Sequence, residues 1–172
     1  MILILWGVSG AGKTTIGRLL SQRLGWSFED GDDYHSPANR KKMQSGIPLT
    51  DEDRRPWLKA LHERVAELIA RKEDAILACS ALKQEYRDLL VAGFEADQFR
   101  FALLTAPANL LRERVQRRCH PYMNRSLLDS QLAALEVPAD ACQISVSGTE
   151  AEAVEQLLGK LKVSQQGGSR WC

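Results

Sequence analysis

The sequence has no surplus of either charge. Its 23 Lys and Arg residues against 22 Asp and Glu leave a formal net charge of +1 over 172 residues. No field of one sign draws it to nucleic acid or to an acidic membrane surface. It has no apolar run long enough to span a bilayer. Met1 leads into Ile2-Leu3-Ile4-Leu5-Trp6 with no basic n-region and no small-residue cleavage site. No secretory signal is therefore expected, and the reading is cytoplasmic. Cysteine is scarce: Cys79, Cys119, Cys142 and Cys172 are scattered without paired spacing. That argues against a zinc site or a disulfide framework and fits a reducing compartment. Internal repeats are lacking too. The length suits one domain over residues 1–163, and residues 164–172 read as a disordered tail.

What is present begins at residue 7. Gly7-Val8-Ser9-Gly10-Ala11-Gly12-Lys13-Thr14 follows an apolar run of strand length. It precedes Thr15-Ile16-Gly17-Arg18-Leu19-Leu20, whose apolar residues have helical spacing. Strand, glycine-rich turn and helix form the context of a phosphate-binding P-loop. The glycines let successive backbone N–H groups point inward at phosphate oxygens, and the helix adds its positive end. Residues 7–15 are thus the nucleotide-binding candidates. Lys13 would reach the outer phosphates, and the Thr14 hydroxyl would hold Mg²⁺. ATP and Mg²⁺ are the expected cofactors.

Strand-like runs recur at residues 2–6, 26–29, 75–79, 99–104 and 142–146, with helical patterns between them. This alternation predicts an α/β fold: a five-stranded parallel sheet with helices on both faces. Ligands in such sheets sit beyond the carboxyl ends of the strands. After the second run comes Glu29-Asp30-Gly31-Asp32-Asp33-Tyr34-His35. Three aspartates in four positions repel one another and favour no regular element. They form either a solvated acidic turn or a catalytic one. In the catalytic reading Asp32 is the general base and Asp30 lies on the metal side. His35 is a candidate to hydrogen-bond a polyol.

Ser36-Pro37 reads as a helix cap with proline at the first helical position. The helix carries Arg40, Lys41 and Lys42, either a solvated face or a contact to an anionic substrate. Thr50 caps the next helix, predicted to run to about Arg71, with acids in its first turn. Arg54 sits near that start, paired with Asp51 or Asp53 or facing substrate. The third strand ends in Ser80, without the terminal aspartate of many ATPases and GTPases. Ser80 is expected to cap a helix over residues 81–88 and to border the substrate. Lys83 and Arg87 share one face of that helix near its positive end, where cations are disfavoured. An anionic ligand such as a carboxylate would resolve the conflict. Pairing with nearby acids is the alternative.

After the fourth strand, helices from Pro107 and from Leu127 flank a basic turn, Cys119-His120-Pro121-Tyr122-Met123-Asn124-Arg125. Residues 107–136 would form a mobile lid that brings an arginine to the transferring group.

The stretches GVSGAGKT, DGDDYHSPANRKKMQSGIPLTDEDRRPWL, CSALKQEYRDLL and LLDSQLAALEVP lie in this order within residues 7–138. Together they resemble the gluconokinase family, small P-loop kinases of nucleoside-monophosphate-kinase-like fold that phosphorylate D-gluconate on its terminal hydroxyl. The resemblance implies ATP as donor, Mg²⁺, 6-phosphogluconate as product and, commonly, a homodimer. It implies Asp32 as base and Lys83 with Arg87 as partners of the gluconate carboxylate. His35, Arg40, Arg54, Ser80 and Gln131 complete the substrate-side set. The lid departs from the family pattern: histidine stands one place early, at His120, and Pro121 fills its slot. Arg118 keeps its place as the lid arginine. A shikimate-type kinase is the nearer alternative, and a nucleotide-dependent switch the more distant one. Against the switch, no Asn-Lys-x-Asp motif is present, nor an Asp-x-x-Gly after the third strand.

Overall fold

The computed structural model describes residues 1–117 and 125–165. Five parallel strands form one sheet: β1 (Ile2–Trp6), β2 (Ser27–Asp30), β3 (Ala75–Cys79), β4 (Phe99–Thr105) and β5 (Gln143–Ser145). Their spatial order is β2-β3-β1-β4-β5, so β1 is central. Ile2 lies opposite Ala75 on one side and Phe99 on the other. β5 pairs only with Leu103–Thr105 of β4. All five predicted strands are present, with ends shifted by a residue or two.

The helices are α1 (Lys13–Leu24), α2 (Pro37–Gln44), α3 (Asp51–Ala70), α4 (Gln84–Val91), α5 (Ala108–Arg117), α6 (Arg125–Ala134) and α7 (Glu150–Gln165). Two cores follow from strand alternation. Leu3 and Leu5 pack with Ile16, Leu20, Leu111, Leu128 and Leu157 on one face. Ile2 and Ile4 pack with Trp57, Leu61, Leu68 and Leu90 on the other. All of β1 and β3 is buried, as a central parallel strand covered on both faces should be. Among the described residues no helix is long and apolar enough to cross a membrane.

The expected caps at Ser36 and Thr50 are present. The Ser36 Oγ accepts the Asn39 N–H, and Thr50 forms a reciprocal capping box with Asp53. The acidic cluster departs from expectation. Gly31–Tyr34 forms a 3₁₀ turn, capped by the Asp30 carboxylate on the Asp32 N–H at 3.1 Å. Further, α7 continues two residues past Val163, and the tail reading then falls on residues outside those described. Cys79 is free and buried, but Cys142 is disulfide-bonded. The spacing had predicted no such bond.

The acidic turn lies hard against β3. A Cβ on Gly31 would stand 2.8 Å from the Ala78 carbonyl and 3.0 Å from the Cys79 Cβ. Neither atom is a mobile side-chain end. Gly31→Ala should therefore cost about 1–3 kcal/mol of stability through overpacking, read as a lower midpoint in urea unfolding.

Candidate functional site

The site forms where β1, β2 and β3 end. Gly12 occupies a left-handed conformation, φ 82°, and starts α1 with no side-chain cap. The N-terminal donors of α1 are thus left to a ligand. The Lys13 ammonium donates to the Gly7 and Val8 carbonyls at 2.9 and 3.1 Å. The Ser9 N–H donates to the Gln131 Oε1 at 2.7 Å, so α6 touches the glycine-rich loop directly.

The Thr14 hydroxyl donates to the Asp30 carboxylate at 2.8 Å. The two expected metal-side residues are therefore together. Among the described residues no group of three or more His, Cys, Asp or Glu gathers. One hydroxyl plus one carboxylate is an oxygen donor set suited to Mg²⁺, which keeps most of its sphere as water and phosphate.

Ser9, Lys13, Asp32, His35, Arg54, Ser80 and Gln131 border one cleft, with Leu49, Leu127 and Ser130 among its walls. The histidine is 6% exposed and stacks on Trp57 with ring centroids 4.6 Å apart. Trp57 in turn donates from Nε1 to the Gly31 carbonyl at 2.7 Å. The His35 Nδ1 is buried and has no hydrogen-bond partner among the described residues. Burial, then the Arg54 and Arg40 charges, lower its pKa to about 4. The cleft thus holds a neutral imidazole beside a carboxylate and two cations.

A further network fixes the turn from behind. Arg64 pairs with Glu29 at 2.6 Å, and the Tyr34 hydroxyl donates to the same carboxylate at 2.8 Å. Burial and Glu29 push the Tyr34 pKa up to about 12.

Other expected contacts fall elsewhere. Arg40 donates to the His35 and Asp33 carbonyls at 3.0 and 2.6 Å, so it braces the acidic turn. Lys42 pairs with Asp53 at 2.6 Å. Arg54 donates to the Leu49 carbonyl and lies over the Tyr86 ring. Lys83 pairs with Asp51 at 2.7 Å. That ammonium and the Tyr86 hydroxyl hold the Asp51 carboxyl below its usual range.

Two corrections concern α4. Ser80 does not cap it: the helix begins at Gln84, whose N–H is capped by the Glu136 carboxylate at 2.7 Å. Arg87 does not turn toward the cleft. It is 3% exposed, donates to the carbonyls of Ala81, Leu82 and Glu136 and to Gln84 Oε1, and lies 4.0 Å from the Trp6 ring centroid. The expected Lys83–Arg87 clamp is therefore not assembled. The Glu136 carboxylate on the Gln84 N–H places an acid at that helix start. Arg118, His120 and Pro121 lie outside the described residues.

Sequence reasoning missed Trp57 and Glu136. The Trp57 role had a faint signal, an aromatic one turn after a capping box. Glu136 had none.

The family model described as an AAA domain matches residues 2–138. A probable gluconokinase of Dictyostelium discoideum is 40% identical, over 94% of this chain and 86% of that protein. A gluconokinase of Gluconobacter oxydans is 46% identical, over 80% and 76%. The crystal structure of a gluconokinase from Sinorhizobium meliloti aligns with TM-score 0.81 at 36% identity, over 98% of this chain and 97% of that one.

The His35 proton gives a testable pH signature. The folded chain takes it up at about pH 4, the unfolded chain near 6.5. The unfolded chain therefore binds it first as the pH falls. Above pH 6.5 this group adds no pH dependence; from 6.5 toward 4 it makes stability fall. His35→Phe, which keeps the stack on Trp57, should flatten that limb in urea unfolding across a pH series.

Proposed function

This chain belongs to the gluconokinase family, and we propose on that footing that its cleft phosphorylates D-gluconate on the terminal hydroxyl with ATP. The convergence of Lys13, Asp32, His35 and Arg54 on one cleft beside the phosphate loop carries this reading. ATP lies with its phosphates over residues 7–15. Lys13 leaves the loop carbonyls to meet the outer phosphates, and Gln131 yields the Ser9 N–H. Thr14 and Asp30 would hold Mg²⁺, which when bound would supply charge neutralisation on the phosphates.

The substrate's terminal hydroxyl sits beside Asp32. As its oxygen attacks the γ-phosphorus, Asp32 accepts the proton and the bond to the ADP oxygen breaks. His35, neutral and bordering the cleft, hydrogen-bonds a chain hydroxyl. The carboxylate faces Arg54. Lys83 supports that end through Asp51 and Tyr86, and Arg87 holds the wall behind it. Arg118 is the lid arginine of this proposal. Positioning and electrostatics supply the rate.

Turnover should appear as ADP release with D-gluconate and ATP, measured by a coupled assay against a panel of aldonates and shikimate. Release with shikimate in place of gluconate would contradict the proposal. Asp32→Asn should lower kcat by about 10²–10⁴-fold while ATP affinity stays within a few-fold. Arg54→Ala should raise the KM for gluconate at least ~10-fold and leave the KM for ATP nearly unchanged. An equal rise in both would remove Arg54 from carboxylate recognition.

A further inference from the structure

The Ser9 N–H has a partner drawn from 122 residues away, the Gln131 Oε1 at 2.7 Å. Both residues border the cleft that also contains Lys13 and Asp32. This donor therefore lies at the side of the glycine-rich loop that faces the acidic turn. A phosphate loop reserves such N–H groups for anionic oxygens. An amide oxygen accepts in the same geometry but without charge, and so more weakly. The Lys13 ammonium is engaged alike, by the neutral carbonyl oxygens of Gly7 and Val8.

The backbone that carries Gln131 is held on both sides. Leu128, one turn before it, is fully buried in the core beneath Leu3 and Leu5. Glu136, just past the end of α6, is tied at three atoms to the segment that joins β3 to α4 and opens that helix. Its N–H donates to the Leu82 carbonyl at 2.9 Å. Its own carbonyl accepts from Arg87 at 2.9 Å, and its carboxylate accepts the Gln84 N–H at 2.7 Å. An exchange of acceptors at Ser9 thus needs only rotation of the long Gln131 side chain between rotamers and leaves α6 in place.

We infer that Gln131 sets how the loop discriminates ATP from ADP: its amide oxygen keeps the place of a γ-phosphoryl oxygen on the Ser9 N–H, leaves when ATP enters, and returns once the phosphoryl group has been transferred. ADP, one phosphoryl group shorter, leaves the contact intact. The contact opposes ATP alone, in proportion to the time the N–H is occupied. This rests on the reading of the cleft as an ATP site and holds whichever alcohol receives the phosphoryl group. It gives Gln131 a task other than the sugar-acid contact that the family resemblance implies.

Calorimetric titration of the full chain with Mg²⁺ and a non-hydrolysable ATP analogue, and separately with ADP, tests this in the absence of any sugar acid. The choice of alcohol is tested apart from it, by turnover. Gln131→Met keeps the side chain's length and helix propensity but offers no amide oxygen. It should tighten binding of the analogue about 2–10-fold and change that of ADP by less than about twofold. Gln131→Glu puts a charged oxygen on the same N–H and should weaken the analogue at least ~10-fold, with a much smaller effect on ADP. Without nucleotide, the Ser9 amide should exchange with deuterium several-fold faster in Gln131→Met than in the unaltered chain, and the analogue should protect it in both. Weaker analogue binding in Gln131→Met, the result of a contact that merely braces the loop, would overturn the inference. So would equal changes for analogue and ADP, or a Ser9 amide whose exchange does not respond to residue 131.

Discussion

The hydrogen bond from the Thr14 hydroxyl to Asp30 joins the two halves of the chemistry. Thr14 opens the helix after the phosphate loop; Asp30 ends β2 and starts the acidic turn. In the proposed reaction the bond fixes the distance between the place where the nucleotide would be held and the place where an alcohol would be activated. The other supports of the turn act on the same separation. Trp57 grips the Gly31 carbonyl, Arg64 anchors Glu29, and Arg40 ties the backbone at Asp33 and His35. A base for phosphoryl transfer works only at fixed reach from its proton, so rigidity here serves geometry before stability.

The electrostatics of the cleft follow from the same packing. Stacking on Trp57 buries His35, and two nearby guanidinium groups oppose its protonation. An imidazole in that position contributes a hydrogen-bonding edge without adding charge. The cation count is left to Lys13 and Arg54, and the carboxylate beside them keeps its partners. A polyhydroxy acid matches such a cleft because it presents one charge and several neutral hydroxyls.

Much of this was legible in the chain. The order of strands and helices, the caps at Ser36 and Thr50 and the places of Asp32, His35, Arg54 and Ser80 rest on local signals, whereas Gln131 came with the family resemblance. Periodicity, a serine before proline, a threonine three residues before an acid and the position just past a strand end are such signals. What escaped depends on long-range partners. Glu136 caps a helix begun 52 residues earlier. Beside it, Arg87 turns inward over Trp6. Helical spacing put Lys83 and Arg87 on one face. Helix onset three residues later, with Lys83 at the cap, sent the two cations different ways. The Trp57–His35 stack likewise joins two segments far apart in sequence, and only the aromatic one turn after the capping box gave a faint sign of it.

The central claim is an orientation: the acid's charged end toward Arg54 and its far alcohol toward Asp32. A crystal structure of the complex with D-gluconate and a non-hydrolysable ATP analogue reads it directly. The account predicts the terminal hydroxyl oxygen within hydrogen-bond distance of an Asp32 oxygen and in line with the γ-phosphorus. A substrate bound the other way round, with its carboxylate at the phosphate end, would contradict it.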